Sequence, residues 1–141
     1  MKTVRQMLHG KSPLISISLT ATVYDALAMM ARHDVGALVV LDQGRLAGMF
    51  SERDYARKVL LQGKASKELA VSEVMTTRVL YVRPDDTVEG CMALMTDKRV
   101  RHLPVMEGGT VVGLVSIGDV VKSLLHEQQF VINQLERYIT A

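Results

Sequence analysis

The feature that most constrains this chain is an internal repeat with a period of 65 residues, which aligns Thr22 with Thr87 and continues without a gap. Many of the aligned pairs are identical. They include Val23 with Val88, Ala28 with Ala93, Met30 with Met95, Val35 with Val100, Leu38 with Leu103, Val40 with Val105, Gly44 with Gly109, Gly48 with Gly113, Ser51 with Ser116 and Asp54 with Asp119. A repeat of this kind indicates one supersecondary unit used twice, so each feature is best considered in pairs.

The most informative part of the repeat is Gly-x-x-Ser-x-x-Asp, at Gly48–Asp54 and again at Gly113–Asp119. Each copy is typical of a strand that ends directly in a helix, with Ser as the N-cap and Asp as the third helical residue. A helix N-terminus can hold an anion, and an Asp there can accept hydrogen bonds from a sugar diol. Ser-x-x-Asp is also close to a capping box that needs no ligand, so both interpretations stay open.

The remaining pattern predicts strand, helix, strand, strand, helix in each copy. In the first copy the predicted elements are a strand near Leu14–Ser18, a helix capped by Thr20 or Thr22, strands at 36–41 and 45–50, and a helix from Ser51 to about Gln62. In the second they are a short helical turn at 71–75, strands at 79–82, 103–106 and 111–115, and a helix between the first two strands.

The last predicted helix runs from about Ile117 to Ile139 and is longer than its counterpart in the first copy. Apolar residues recur along it at steps of three and four, and with Gln128 they form a stripe: Val121, Leu124, Leu125, Val131, Ile132, Leu135, Tyr138 and Ile139. Such a stripe needs a partner, which is either a second copy of the chain or the domain's own surface.

Composition bounds the function classes. An apolar fraction of 48% supports a packed core, and a net charge of +2 gives little reason to expect nucleic acid. The single cysteine, Cys91, excludes an intrachain disulfide and suits a reducing compartment. Neither a signal peptide nor a membrane span is expected, since no apolar run approaches about 20 residues. We therefore expect a cytoplasmic protein without membrane contact.

Catalysis and metal binding are not expected. The serines of the repeated motif do not lie in Gly-x-Ser-x-Gly, and no acid–base pair recurs across the repeats. The four histidines have no metal-ligand spacing, and Cys91 and the nine methionines are interpreted as core residues. The basic run Lys98–His102 lacks interleaved aromatic residues, so contact with nucleic acid is the least favoured interpretation.

The repeated unit resembles the cystathionine β-synthase (CBS) domain, and the chain resembles a stand-alone tandem pair of such domains, often called a Bateman module. The residues that carry the resemblance are Thr22-Val23, 35–41, 48–54, Val74-Met75-Thr76, Thr87-Val88, 99–105 and 113–119. It implies an α/β (α+β) fold of two βαββα repeats packed through their sheets about a pseudo-twofold axis. The expected repeats are residues 8–66 and 67–125, with a C-terminal helical extension at 126–141 as a candidate dimerisation helix.

The resemblance also implies two nucleotide sites in clefts between the repeats. One site would use Asp119 for the ribose, Ser116 near ribose or phosphate, and Lys11, Ile15, Val35, Gly36 and Ala37 around adenine. The other would use Asp54 and Ser51 with Thr76, Leu80, Val100 and His102, while Arg53, Arg57, Arg101 and His102 are placed to meet phosphates. Since Gly36-Ala37 stands where the second copy has Arg101-His102, and Gly118 where the first has Arg53, the two clefts are not expected to be equivalent.

By this resemblance the chain would be a regulatory, signal-transducing module rather than an enzyme. Its ligand would be AMP, ADP, ATP or NAD(H), without a required metal, and it would form a homodimer that signals in trans to an unidentified protein target. The alternative is an interaction scaffold whose clefts stay empty and whose aspartates act only as helix caps.

Overall fold

The computed structural model describes residues 2–140, with the side chains of 138–140 left undescribed. The helices are α1 (Val4–Leu8), α2 (Val23–His33), α3 (Glu52–Asp54), α4 (Val88–Lys98) and α5 (Ile117–Thr140). The strands are β1 (Ser16–Ser18), β2 (Ala37–Asp42), β3 (Arg45–Ser51), β4 (His102–Glu107) and β5 (Thr110–Ser116). A π-helical segment, Tyr55–Leu60, continues α3, and a single 3-10 turn covers Val71–Glu73. The mixture of helices and small sheets confirms the predicted α+β class.

The described chain divides into two compact units that do not follow the sequence halves. The N-terminal unit contains residues 13–80 and 107–112. The C-terminal unit contains residues 2–12, 81–106 and 113–140. The first segment of each repeat therefore belongs to the unit built mainly from the other repeat.

The N-terminal unit is built on a three-stranded sheet in the order β1-β2-β3. β1 pairs parallel with β2, and β2 pairs antiparallel with β3. Residues of β2 and β3 such as Leu38, Val40 and Phe50 are fully buried, and Val23 and Met30 of α2 join the same core. Thr22 caps α2 through its side chain, and Asp34 ends it in the left-handed conformation.

The core of the C-terminal unit contains residues of α1, α4 and α5 together with Leu103 and Val105 of β4 and Val115 of β5. β4 and β5 pair as a two-stranded sheet. Val4 of α1 is fully buried in this core, and the Lys2 backbone N–H donates to the Glu127 carboxylate of α5 at 3.0 Å. Cys91 is also fully buried. Burial and the nearby charge of Asp86 raise the pKa of its thiol to about 11, so the sulfur is a packing group at neutral pH.

Two predicted elements differ from the observed ones. Residues 79–82 do not form a strand; only Val82 pairs, in an isolated parallel bridge with Val105. The Val82 N–H donates to the Pro104 carbonyl oxygen at 3.0 Å. Proline has no backbone N–H, so Pro104 cannot donate a hydrogen bond to the residues before Val82, and the ladder does not extend toward them. The helix expected to run from Ser51 to about Gln62 is α-helical only over α3 and then widens into the π-helical segment, where the Leu61 N–H bonds to Ala56 O.

α5 is one continuous helix whose far half carries exposed apolar side chains. Leu125, Ile132 and Leu135 expose 58%, 46% and 57% of their surface. Folding back onto the domain, one of the two alternatives for this stripe, is not observed for these residues. Tyr138 and Ile139, which the sequence places in the same stripe, lie outside the described side chains. In the part of the chain that the structure describes, no helix is both long and apolar enough to cross a bilayer.

Candidate functional site

Both copies of the repeated motif form the capping arrangement that their spacing predicts. The Ser51 hydroxyl accepts a hydrogen bond from the Asp54 N–H at 3.2 Å, and the Asp54 carboxylate accepts one from the Ser51 N–H at 3.0 Å. At the second copy the Ser116 hydroxyl accepts from the Asp119 N–H at 3.1 Å, and the Asp119 carboxylate accepts from the Ser116 N–H at 2.8 Å. Each aspartate is thus fixed at a helix start, with one carboxylate oxygen committed to the cap.

In each unit a backbone hydrogen bond holds the helix start beside the opening of the neighbouring strand. The Glu52 N–H donates to Gly36 O at 3.0 Å, and the Ile117 N–H donates to Arg101 O at 2.8 Å. The predicted residues Val35, Gly36 and Ala37 therefore lie near Ser51 and Asp54 in the N-terminal unit. Val100, Arg101 and His102 lie near Ser116 and Asp119 in the C-terminal unit.

The Asp119 carboxylate forms an ion pair with Lys11, a residue of the segment that begins the first repeat. The Lys11 ammonium donates to Asp119 Oδ2 and also to the Leu114 carbonyl oxygen. The two side chains are partly open, exposing 32% and 30% of their surface. Burial raises the pKa of Asp119, but the hydrogen bonds from Lys11 and Ser116 outweigh it and hold the pKa below its ordinary value. The carboxylate is consequently ionised at neutral pH.

His102 adds a neutral imidazole to this group. Burial is the largest effect on its pKa and lowers it, the charges of Lys11 and Arg101 lower it further, and Asp119 acts in the opposite direction. At neutral pH the group around Asp119 therefore contains two cations, one anion and one uncharged ring, so it has a net positive charge.

The equivalent carboxylate, Asp54, is buried and has more partners. In addition to the capping bond, Asp54 Oδ2 accepts from the Ser51 hydroxyl at 3.0 Å, while Asp54 Oδ1 accepts from the Thr76 hydroxyl and from the Lys58 ammonium, each at 3.0 Å. Lys58 also donates to Val74 O at 3.1 Å. Both oxygens of Asp54 are occupied by the protein itself.

Thr76 and Lys11 occupy the same position of the 65-residue repeat, and each contacts the aspartate of the unit to which its own segment belongs. Sequence reasoning grouped Lys11 with Asp119 and Thr76 with Asp54 and expected both around the base, whereas in the structure each side chain contacts the carboxylate. It missed Lys58 entirely, although its spacing of four from Asp54 along a helix is a recognised ion-pair signal.

The other predicted site residues are distributed between the two units. Ile15 is half-buried in the N-terminal unit, where Arg53, Arg57 and Leu80 are exposed. The basic run that contains Arg101 begins with Lys98, which pairs with Asp97 at 3.6 Å. Among residues 2–140, no three histidine, cysteine, aspartate or glutamate side chains are grouped as metal ligands.

The fold and the paired motifs define a class: a tandem-repeat α+β module whose two helix starts each present an aspartate. A sequence model of the CBS domain matches residues 4–61 and 71–126, which is most of the chain. This protein belongs to the CBS-domain family.

Proteins similar to this chain include several CBS-domain proteins. The CBS domain-containing protein CBSX3, mitochondrial, of Arabidopsis thaliana is 46% identical over 123 residues, which are 84% of this chain and 60% of CBSX3. The structure of a CBS-domain protein from Burkholderia ambifaria MC40-6 superposes with a TM-score of 0.86 at 47% identity, covering 90% of this chain and 96% of that one. The CBS domain pair of protein MJ0100, in complex with 5′-methylthioadenosine and S-adenosyl-L-methionine, gives a TM-score of 0.78 at 25% identity, covering 87% and 99%.

Proposed function

We propose that this protein is a regulatory module that binds an adenine nucleotide at Asp119 and signals the occupancy of that site to a protein partner in trans. The observation that carries the proposal is the Asp119 carboxylate itself. It is ionised, partly exposed and fixed at the start of α5, where it pairs with Lys11, and Arg101 adds a second positive charge that acts on His102.

The chemistry of this group suits a ribose phosphate. An ionised carboxylate accepts hydrogen bonds from a vicinal diol, as the acidic residue of dinucleotide folds does. The ammonium of Lys11 and the guanidinium of Arg101 offer charge-assisted bonds to a phosphate. The adenosine ligands of MJ0100 support an adenosine-based ligand here, with AMP, ADP, ATP and NAD(H) as the candidates.

The Asp54 site is the weaker half of the proposal. Its carboxylate is buried and already accepts from Ser51, Thr76 and Lys58. A sugar that binds there must replace at least one of these protein donors, whereas at Asp119 a single ion pair has to open. We therefore assign the principal nucleotide site to Asp119.

The proposed association with another protein chain depends on α5. The exposed apolar side chains of this helix form a contact surface, for which we propose a second copy of the chain, so that the module acts as a homodimer. The protein target and a cytoplasmic location are parts of the same proposal.

Asp119→Ala tests the assignment. The substitution removes the sugar acceptor, so we expect it to weaken AMP and adenosine alike, by about 1–3 kcal/mol for charge-assisted bonds left unmade. Calorimetric titration of purified, ligand-stripped protein measures both affinities. Asp42→Ala, at the exposed last residue of β2, is the matched control and should leave both unchanged.

Thermal unfolding separates this function from a ligand-free scaffold. A nucleotide present at 100 times its Kd should stabilise the folded protein by about 2.7 kcal/mol. A scaffold whose aspartates act only as helix caps predicts no shift with AMP, ADP, ATP, NAD+ or NADH. An unchanged melting temperature with all five would reject the proposed function.

A further inference from the structure

The Lys11–Asp119 ion pair places a cation where the proposed ligand's sugar would bind. Lys11 Nζ donates to Asp119 Oδ2, while the other hydrogen bond to that carboxylate oxygen comes from the Ser116 backbone N–H and belongs to the cap. Both of these bonds go to Oδ2, so a ribose whose two hydroxyls donate to both oxygens of the carboxylate competes with the ammonium there. This inference rests on the proposed function and concerns which adenosine ligands the site accepts.

Lys11 does not lose its anchor when it leaves Asp119. Its ammonium also donates to the Leu114 carbonyl oxygen, and an ammonium has three protons to donate. It can therefore stay close to the site, but the proton that Asp119 accepted has lost its acceptor. A partly buried ammonium in this condition is costly unless the arriving ligand supplies a new acceptor.

The charges around the site determine which kind of ligand can supply this acceptor. Lys11 and Arg101 are cationic, Asp119 is the single anion among the side chains that influence His102, and His102 is uncharged at neutral pH. Once a diol has taken over the carboxylate, the ammonium and the guanidinium leave an unbalanced positive charge around His102. A ligand phosphate neutralises this positive charge, a neutral nucleoside leaves it without a counter-charge, and a cationic ligand adds to it.

We propose that Lys11 is a specificity-determining latch, which makes the Asp119 site select adenosine phosphates over neutral or cationic adenosine compounds. The latch is closed when the ammonium holds Asp119, and it opens when a phosphate replaces Asp119 as the partner of the ammonium.

The other repeat lacks such a latch. Thr76 stands at the position equivalent to Lys11, and its uncharged hydroxyl donates to Asp54. The lysine that pairs with Asp54 is Lys58, which lies four residues further along the chain in the π-helical segment that continues α3. Charge selection by a lysine from a separate segment is thus particular to Asp119.

The test compares AMP, adenosine and S-adenosyl-L-methionine by calorimetric titration of the full chain and of Lys11→Met, at one ionic strength. We expect the parent to bind AMP at least roughly tenfold more tightly than adenosine, and the methionine variant to reduce that ratio to about two. Adenosine itself should bind the variant more tightly than the parent, because its competitor for Asp119 is gone. Lys64→Met, on an exposed connector, is the control and should preserve the parent ratio.

The outcomes distinguish the two proposals. If the parent binds neither AMP nor adenosine, the proposed function fails and the latch fails with it. If both bind but Lys11→Met leaves the ratio unchanged, or weakens adenosine, the latch alone is overturned. Carbon-detected NMR titration provides a second measurement: Lys11→Met should raise the pKa of the Asp119 carboxyl in the ligand-free protein, and an unmoved pKa contradicts the ion pair on which the latch depends.

Discussion

Asp54 and Asp119 are equivalent by sequence, yet the contacts of Asp54 are those of a residue that stabilises the fold. Its side chain is buried and joins the start of α3 to Thr76 and Lys58. Asp54→Ala leaves those donors without their acceptor, so we expect it to lower the free energy of unfolding by about 2 kcal/mol. Urea denaturation followed by circular dichroism measures the change.

Asp119→Ala is the matched comparison in the same assay. Its carboxylate is more exposed, and Lys11 keeps the Leu114 carbonyl as a partner after the substitution. The expected loss is about 1 kcal/mol or less, mostly from the cap. Equal losses at the two positions would show that burial of the Asp54 network does not distinguish them.

Some contacts of single residues can be predicted from the sequence, and others cannot. The capping boxes at Ser51 and Ser116 follow from a spacing of three residues, and both are present. The pairing of Lys11 with Asp119 joins positions 108 residues apart, and no local spacing encodes it. Only the resemblance placed Lys11 near Asp119, because the pairing depends on which unit the first segment joins.

At the scale of elements, the glycine that begins each motif is explained by what approaches it. A Cβ on Gly48 would lie 2.6 Å from Thr76 O, a backbone atom held by the bridge between Met49 and Thr76. A Cβ on Gly113 would lie 2.8 Å from Leu8 Cδ2, the end of a flexible side chain. The two strands therefore need glycine to different degrees.

Alanine at each glycine tests this difference. Gly48→Ala must displace backbone, and we expect it to cost about 2–3 kcal/mol of unfolding free energy. Gly113→Ala requires only a rotation of Leu8 and should cost about 1 kcal/mol or less. Chemical denaturation of both variants gives the comparison, and a larger loss at Gly113 would mean that Leu8 cannot move.

Strands and helices with strong patterns were predicted to within about a residue or two at most ends. β2 and β4 have long apolar runs, and α2 begins at the Thr22 cap as one of the two predicted options. The strand predicted at 79–82 is absent, because its partner would be β4 and Pro104 of β4 has no N–H to donate. Apolar content predicts burial, which Val82 has, but a ladder also needs donors on the neighbouring strand.

At the scale of the whole molecule, the stripe on α5 favours self-association by its register. Val121, Leu125, Gln128, Ile132 and Leu135 alternate in steps of four and three residues, which is the spacing of a coiled-coil seam. All five are exposed in the described structure. A second copy presents the same stripe, and the central Gln128 can hydrogen-bond to its own equivalent across a two-fold axis.

Ile132→Glu should convert the proposed dimer to a monomer, since it places two like charges in the desolvated seam. Phe130→Glu is the matched control: Phe130 is 65% exposed on the same helix, but two positions from Ile132 it lies on the opposite face. Sedimentation velocity at tens of micromolar should then show a dimer for the parent and for Phe130→Glu, and a monomer only for Ile132→Glu. Loss of the dimer in both variants would indicate that the helix as a whole, rather than the stripe, holds the copies together. A monomeric parent would remove self-association from the proposed function and leave the proposal for the Asp119 site unchanged.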